Sequence, residues 1–374
     1  MRKNQIYIGR IKGIAVGLDY SWFLIFILVT WILAGSYFPS QFKGWSTFEY
    51  WISGAVTSVL FFLSVLLHEI SHSVVAGKFK IKVNQITLFI FGGIAEIKEE
   101  PKNSSQEFWI AIAGPIMSLI IAVVSYFISR ISPEHSQLYA IFDYLFQINL
   151  ILVLFNLIPG FPLDGGRVFR AIVWSITKDF QRATNIAATV GRFFGFIFIL
   201  IGFFMMMRGA VIDGIWIAFI GWFLESAALA QLQRQVLYKL LAGKKVEDAM
   251  SKAFALLPAN TTIQEFIDNE ILLRNRRFFI VEDKGVQIGF VTVHAIKSVP
   301  KELWESTTIR EIMTPMSGVK KTHPEEPLLD ALKQMDKNGV NQLPVFDEND
   351  KIIGIISREN ILSLLNTIHL NELG

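Results

Sequence analysis

Two histidines and a glutamate stand together in Leu66-Leu67-His68-Glu69-Ile70-Ser71-His72, behind an uncharged run from Trp51 to Leu67. On a helix His68 and His72 lie at i and i+4, so both imidazoles leave one face and can reach one metal ion. Glu69 stands beside that face, able to take a proton from a water that the ion has acidified. This is the spacing of a zinc hydrolase. Taken alone the pattern recurs in many unrelated proteins. Here, of six histidines, only these two fall in an apolar segment, where ionisable side chains are costly and usually mark a functional site. The plainer alternative is a polar cluster that holds helices together.

A catalytic zinc site needs a third protein ligand and an open position for water. The chain has no Cys, which also excludes disulfides, thiolate zinc sites and cysteine nucleophiles. With no further histidine in the apolar segments, a carboxylate must serve. Asp164 is the best placed, in Asn156-Leu157-Ile158-Pro159-Gly160-Phe161-Pro162-Leu163-Asp164-Gly165-Gly166-Arg167. Its prolines cannot continue helical hydrogen bonding and its glycines allow an irregular backbone. Such backbone is tolerated at membrane depth where it lines a cavity or is buried in protein. Without the histidines the same segment reads as a helix-ending turn with a capping Asp.

The elements that must position these groups are membrane helices. Of the 374 residues 52% are hydrophobic and the mean hydropathy is +0.44, too apolar for an ordinary soluble protein. Apolar runs dominate up to about residue 232, and charged and apolar residues alternate afterwards. A membrane domain over residues 1–232 and a soluble tail over 233–374, long enough for one compact domain, are expected. The net charge of +3 gives no reason to expect nucleic acid as a partner.

Six spans of suitable length are predicted at about 20–36, 52–76, 108–128, 141–158, 193–207 and 214–231, the fifth being short. The first, carrying Trp22 and Trp31, reads as a span rather than a signal peptide. Basic residues alternate across the connections. The N-terminal arm has four (Arg2, Lys3, Arg10, Lys12) and the next loop one (Lys43). Five follow (Lys78, Lys80, Lys82, Lys98, Lys102), then one (Arg130), then five (Arg167, Arg170, Lys178, Arg182, Arg192), then one (Arg208). The positive-inside rule then places both termini and the tail in the cytoplasm, with the chain multi-pass in the cell membrane. His68, His72 and Asp164 fall at similar depth, near the cytoplasmic side.

HExxH and Asn-x-x-Pro…Leu-Asp-Gly on separate apolar helices resemble the site-2 protease family of intramembrane zinc metalloproteases. Ile11-Lys12-Gly13-Ile14-Ala15-Val16…Ser21-Trp22 is similar to that family's opening strand and first helix. Phe91-Gly92-Gly93-Ile94-Ala95 is similar to its Gly-Gly hairpin, and Ala113-Gly114-Pro115 to its third-helix motif. The resemblance implies one Zn2+ per subunit on His68, His72 and Asp164, Glu69 as general base, and Asn156 holding substrate or the oxyanion. It also implies a membrane protein substrate, cut within a transmembrane segment. A substrate helix must unwind before attack. The hairpin predicted around Ile86–Ile97, with Gly92 and Gly93 at its turn, offers either a strand for the unwound peptide to pair with or a simple interfacial turn. Gly191 and Gly195 form a GxxxG, read as close helix packing or as part of a lateral gate.

The tail repeats itself. Residues 309–366 run from Ile309–Met313 through an amphipathic helix near Leu328–Met335 to a hairpin, Gln342–Asp347 with Lys351–Ser357, and a closing helix. Val246–Met250, Ile263–Ile267, Arg277–Val281 and Gln287–Thr292 follow the same order. The pattern resembles a pair of CBS motifs at about 244–300 and about 308–370. That implies an adenine nucleotide or protein partner, with a homodimer formed through the pair. Nucleotide-binding copies carry Ser/Thr with Asp three residues later; here Ser357 is followed by Asn360 and Thr292 by Ala295.

The expected fold is a polytopic α-helical membrane protein of six transmembrane helices with a small membrane-edge β-sheet, plus a cytosolic α/β CBS-pair domain. The expected activity is that of an intramembrane zinc endopeptidase modulated by the tail. A membrane transporter or channel with a regulatory CBS domain is the alternative, and a membrane scaffold without activity a third.

Overall fold

The computed structural model describes residues 5–90, 92–97, 100–268, 278–296, 298–316 and 321–373. Arg2, Lys3, Phe91, Lys98 and Arg277, quoted above, lie outside them. The chain folds into two compact units, Met1–Arg234 and Gln235–Gly374.

Among the described residues six helices are long and apolar enough to cross a membrane, the last of them continuing past Arg234. They are α1 (Tyr20–Gln41), α2 (Thr47–Lys78), α3 (Ser104–Ile131), α4 (Gln137–Asn156), α6 (Phe180–Met207) and α7 (Val211–Leu241), with the shorter α5 (Asp164–Thr177) between the fourth and fifth. Their outward residues are large and apolar: Leu24, Ile27, Trp31, Val59, Phe127, Phe193 and Phe203 are all exposed. Their inward residues are small, including Ser53, Gly54, Thr57, Ser58, Ser64, Ser118 and Ser125. This inverts the pattern of a water-soluble bundle and suits lipid outside, with small residues permitting close backbone approach inside. At Gly54 an added β-carbon would stand 3.2 Å from the Thr30 carbonyl, and Thr30 Oγ1 donates to Ser58 Oγ across the same interface at 2.9 Å.

Two boundaries differ from the sequence-based expectation. The fifth span begins at Phe180 rather than near 193. Its early residues Ala183, Thr184, Ala187 and Ala188 are buried but contribute little hydropathy. Residues 164–177, expected as loop, form α5, an amphipathic helix with Arg and Gly in its first turns. Of the five basic residues assigned to that connection, only Lys178 lies between helices: Arg167 and Arg170 are on α5, and Arg182 and Arg192 on α6.

A four-stranded sheet adjoins the helices: β1 (Gln5–Ile11), β2 (Ile14–Asp19), β3 (Val83–Phe89) and β4 (Gly92–Ile97), in that order. The outer pairs are antiparallel, while β2 and β3 are parallel, with Ala15 opposite Gln85. The opening segment is thus a hairpin of two strands. Lys12 and Gly13 both have positive φ, +50° and +83°, the combination that closes a two-residue hairpin with the right twist. The parallel pairing ties the start of α1 to the strand that follows α2.

The second unit is built from two similar halves. The first copy contributes β5 (Ala255–Pro258), β6 (Phe278–Asp283) and β7 (Val286–Thr292). The two-residue β8 (Thr314–Pro315), which leads into the second copy, closes that sheet beside β7. The second copy has α8 (Leu328–Asn338), the hairpin β9 (Gln342–Phe346) and β10 (Ile352–Ser357), and α9 (Arg358–Leu373). Reciprocally Ser251, near the start of the first copy, bridges Ile355 in β10. Gly289 lies against the Thr314 carbonyl and Met313, and Gly354 against the Ser251 carbonyl and Met250, so the repeat is structural as well as sequential. Ile280, Phe346, Ile352 and Ile355 share one core between the copies.

Candidate metal centre and active site

His68 and His72 project from the last third of α2 and are almost fully buried, 4% and 5% exposed. Asp164, the first residue of α5, comes to them from the other side. Its Oδ2 is 3.1 Å from His68 Nε2 and 3.3 Å from His72 Nε2, and the two Nε2 atoms are 3.2 Å apart. Ligands at 2.0–2.1 Å in a tetrahedron stand about 3.3–3.4 Å from one another, so the triangle has the dimensions of a zinc site. Its chemistry agrees. His72 Nδ1 is 2.6 Å from the Ile110 carbonyl, which can only accept, so Nδ1 carries the proton and Nε2 presents a lone pair. His68 Nδ1 is likewise engaged, 2.9 Å from Ser118 Oγ. With His68 in the same tautomer, which the Ser118 hydroxyl permits by accepting, the triangle holds three acceptors and no donor, an arrangement that calls for a cation.

The third helix supplies the outer partners. Pro115 removes the N–H that would bond the Ala111 carbonyl and loosens the turn beside the one that offers Ile110 to His72. A β-carbon on neighbouring Gly114 would overlap both His68 Nε2 and His72 Nε2. Neither Gly114 nor Ser118 was assigned a role from the sequence. Gly114 lay in the quoted Ala-Gly-Pro motif, whereas Ser118 is one serine among many, and only helix packing selects it. Partners of this kind tune metal affinity by 10–100-fold. Ser118→Ala is therefore expected to weaken zinc binding by about 10-fold or more with little change in melting temperature; competition with a chromophoric chelator measures it, and wild-type affinity would reduce Ser118 to packing.

Glu69 is half-buried and touches the sheet. A β-carbon on Gly93 would collide with its Cγ and stand 3.3 Å from Oε1, so β4 passes directly against this carboxylate. Gly92 has φ +125°, a conformation open to glycine. β4 ends the sheet order, and its outer edge has no strand partner among the described residues. Asn156 is the last residue of α4, half-buried, with no hydrogen bond to its amide among the described residues.

Backbone packing holds the loop before Asp164. Added β-carbons on Gly165 and Gly166 would run into the main chain of Leu157–Ile158 and Gly160–Phe161, and one on Gly191 into Phe161. Phe161 N also donates to the Ala187 carbonyl at 3.4 Å. The GxxxG of α6 thus serves close packing: Gly191 grips this loop and Gly195 meets Gly221 of α7. Glu225 pairs with Arg192 at 3.1 Å and does not join the three ligand groups.

In the tail, Ser357 Oγ donates to Asn360 Oδ1 at 2.6 Å, and Asn360 N donates back to Ser357 Oγ at 3.1 Å. The two residues are occupied in capping α9. Thr292 ends β7, well apart in sequence from this cap.

Residues 56–135 and 129–200 match Peptidase family M50, and residues 309–367 match the CBS domain. The Synechocystis protein sll0528, whose name assigns it to the zinc metalloproteases, is 33% identical over 97% of this chain and 96% of its own length. Rip3 of Mycobacterium tuberculosis, named in the same way, is 31% identical over 99% of this chain and 95% of its own. The solved site-2 protease from Methanocaldococcus jannaschii is 33% identical where aligned, covering 61% of this chain and 95% of that one with a TM-score of 0.42. The family match and the two full-length relatives leave the transporter and scaffold readings without support. The chain belongs to peptidase family M50, the site-2 protease family of intramembrane zinc metalloproteases, and carries a CBS pair behind its membrane helices.

Proposed function

We propose that this protein cleaves transmembrane segments of other membrane proteins, using one zinc ion held by His68, His72 and Asp164. The observation that carries the reading is the convergence of three lone-pair donors, with Glu69 beside them, inside a bundle whose outer surface is apolar. Zinc held there supplies a Lewis acid that acidifies water and polarises a peptide carbonyl. Glu69 takes the proton of the attacking water and returns it to the departing amine. The amide of Asn156 donates to the developing oxyanion. The free edge of β4, at Gly92 and Gly93, pairs with the unwound substrate as an added strand and lays its backbone across Glu69.

The distribution of Lys and Arg at the span ends supports a cytoplasmic N-terminus and tail, which brings water to the site from that side. The division of labour we infer is residues 1–232 as protease and 233–374 as a regulatory pair that joins two copies and modulates substrate access. The compact units Met1–Arg234 and Gln235–Gly374 support a boundary near there. Ser357 and Asn360 are already committed to a helix cap, which favours a protein partner over an adenine nucleotide at that position.

The test uses purified protein in proteoliposomes with a single-span substrate. Chelation is expected to abolish cleavage and added zinc to restore it. Asp164→Ala should lose the metal and all measurable cleavage. Cleavage that survives removal of bound zinc, followed by mass spectrometry of the products, would refute the proposal.

A further inference from the structure

A second set of charges lies buried in the membrane unit, apart from the three ligands. Glu107, near the start of α3, is fully buried. Its Oε1 accepts from Arg170 Nε at 2.7 Å and from Arg170 Nη2, and Arg167 Nε stands 4.0 Å away. Arg170, on α5, is itself 5% exposed. Its guanidinium lies 4.9 Å from the ring of Phe161 and 4.6 Å from that of Phe180, and Nη1 reaches Thr184 Oγ1 at 3.4 Å. One side chain thus binds α3, the loop ahead of Asp164 and the first turns of α6.

Stability does not explain this cluster. A buried ion pair seldom outperforms apolar packing of the same volume, and here Glu107 Oε2 is buried with no hydrogen-bond partner among the described residues. Geometry explains it better. On α3, Glu107, Ile110, Gly114 and Ser118 lie at i, i+3, i+7 and i+11, along one face. That face carries, in order, the Arg170 contact, the carbonyl for His72, the gap for both Nε2 atoms and the hydroxyl for His68. Asp164 opens α5 and Arg170 follows it by six residues, about 9 Å along the axis. The pair joins the helix that fixes the two histidines to the helix that carries the carboxylate.

We propose that Glu107 and Arg170 are positioning residues that set the Asp164 carboxylate against His68 and His72, holding the third ligand in register with the other two. The inference rests on the zinc reading given above. Planar, hydrogen-bonded arginine between two rings defines a direction as well as a charge, which lysine does not reproduce.

The experiment compares full-length wild type, Arg170→Lys, the paired replacement Glu107→Leu with Arg170→Met, and Asp164→Ala, all in detergent. Zinc affinity is read by chelator competition, the cobalt-substituted site by its visible spectrum, and folding by thermal melting. Arg170→Lys and the paired variant should bind zinc 10–100-fold more weakly and show an altered cobalt spectrum, with melting close to wild type for at least one of them. Wild-type affinity and an unchanged cobalt spectrum in a folded variant would overturn the proposal. Should the paired variant fail to fold, Arg170→Lys decides alone. If wild type and Asp164→Ala bind zinc equally, the metal reading falls and this inference with it. A loss of zinc confined to Asp164→Ala, with wild-type affinity in the Arg170 and Glu107 variants, leaves that reading standing and overturns only the positioning role.

Discussion

Glu69→Gln is expected to retain stoichiometric zinc and the melting temperature of the wild type while losing cleavage by about 10³-fold, within the range that general acid–base groups supply. The side chain is not among the three groups that converge on one point, so the metal keeps its ligands. The amide has nearly the same volume as the carboxylate, so the close passage of Gly93 over Cγ survives. What disappears is the capacity to accept a proton from water and hand it to the amine. Single-turnover cleavage in proteoliposomes, beside zinc analysis of the same sample, measures both quantities. Activity within tenfold of wild type would remove Glu69 from the mechanism, and loss of zinc would make it a structural support of the site.

Gly114→Ala should have an effect of comparable size by a different route. In the middle of a helix this change ordinarily stabilises by roughly 1 kcal/mol, because alanine is the better helix former. Here the added methyl would occupy the position of His68 Nε2 and His72 Nε2. These are the atoms that must face the metal, so they cannot turn aside without ceasing to be ligands. Zinc content is expected to fall below about one-tenth of wild type, in keeping with the precision that metal geometry demands, and cleavage to background. Gly77→Ala is the control, since nothing lies within 4 Å of a β-carbon there. Metal analysis of the two variants side by side settles the point, and full zinc occupancy in Gly114→Ala would show that the third helix can yield at this contact.

The parts of this architecture that can be read from the chain are those where residue type conflicts with surroundings. His68, Glu69 and His72 announce themselves because nothing else charged occurs between Trp51 and Leu67. Asp164 stands out through the prolines that precede it and the glycines around it. In three dimensions those glycines matter mainly as sites of main-chain contact, with Gly165, Gly166 and Gly191 each leaving no room for a side chain. Helix α5 escaped notice because its arginines look like loop residues under a rule that counts charge. Arg170 is in fact buried on Glu107, and that pairing spans 63 positions. The start of span five is hidden in the sequence for a related reason: Ala183, Ala187 and Ala188 bury against neighbours yet add little hydropathy. Ser118 carries no signal at all, since its importance arises only when α3 lies across α2 at this rotation.

Each half of the tail borrows its outermost lace from the other, Thr314–Pro315 fastening the first hairpin and Ser251 the second. Neither repeat therefore completes its strand pairing by itself. Prising apart one hairpin would strain the leader of its twin, so the two halves are mechanically joined at both seams.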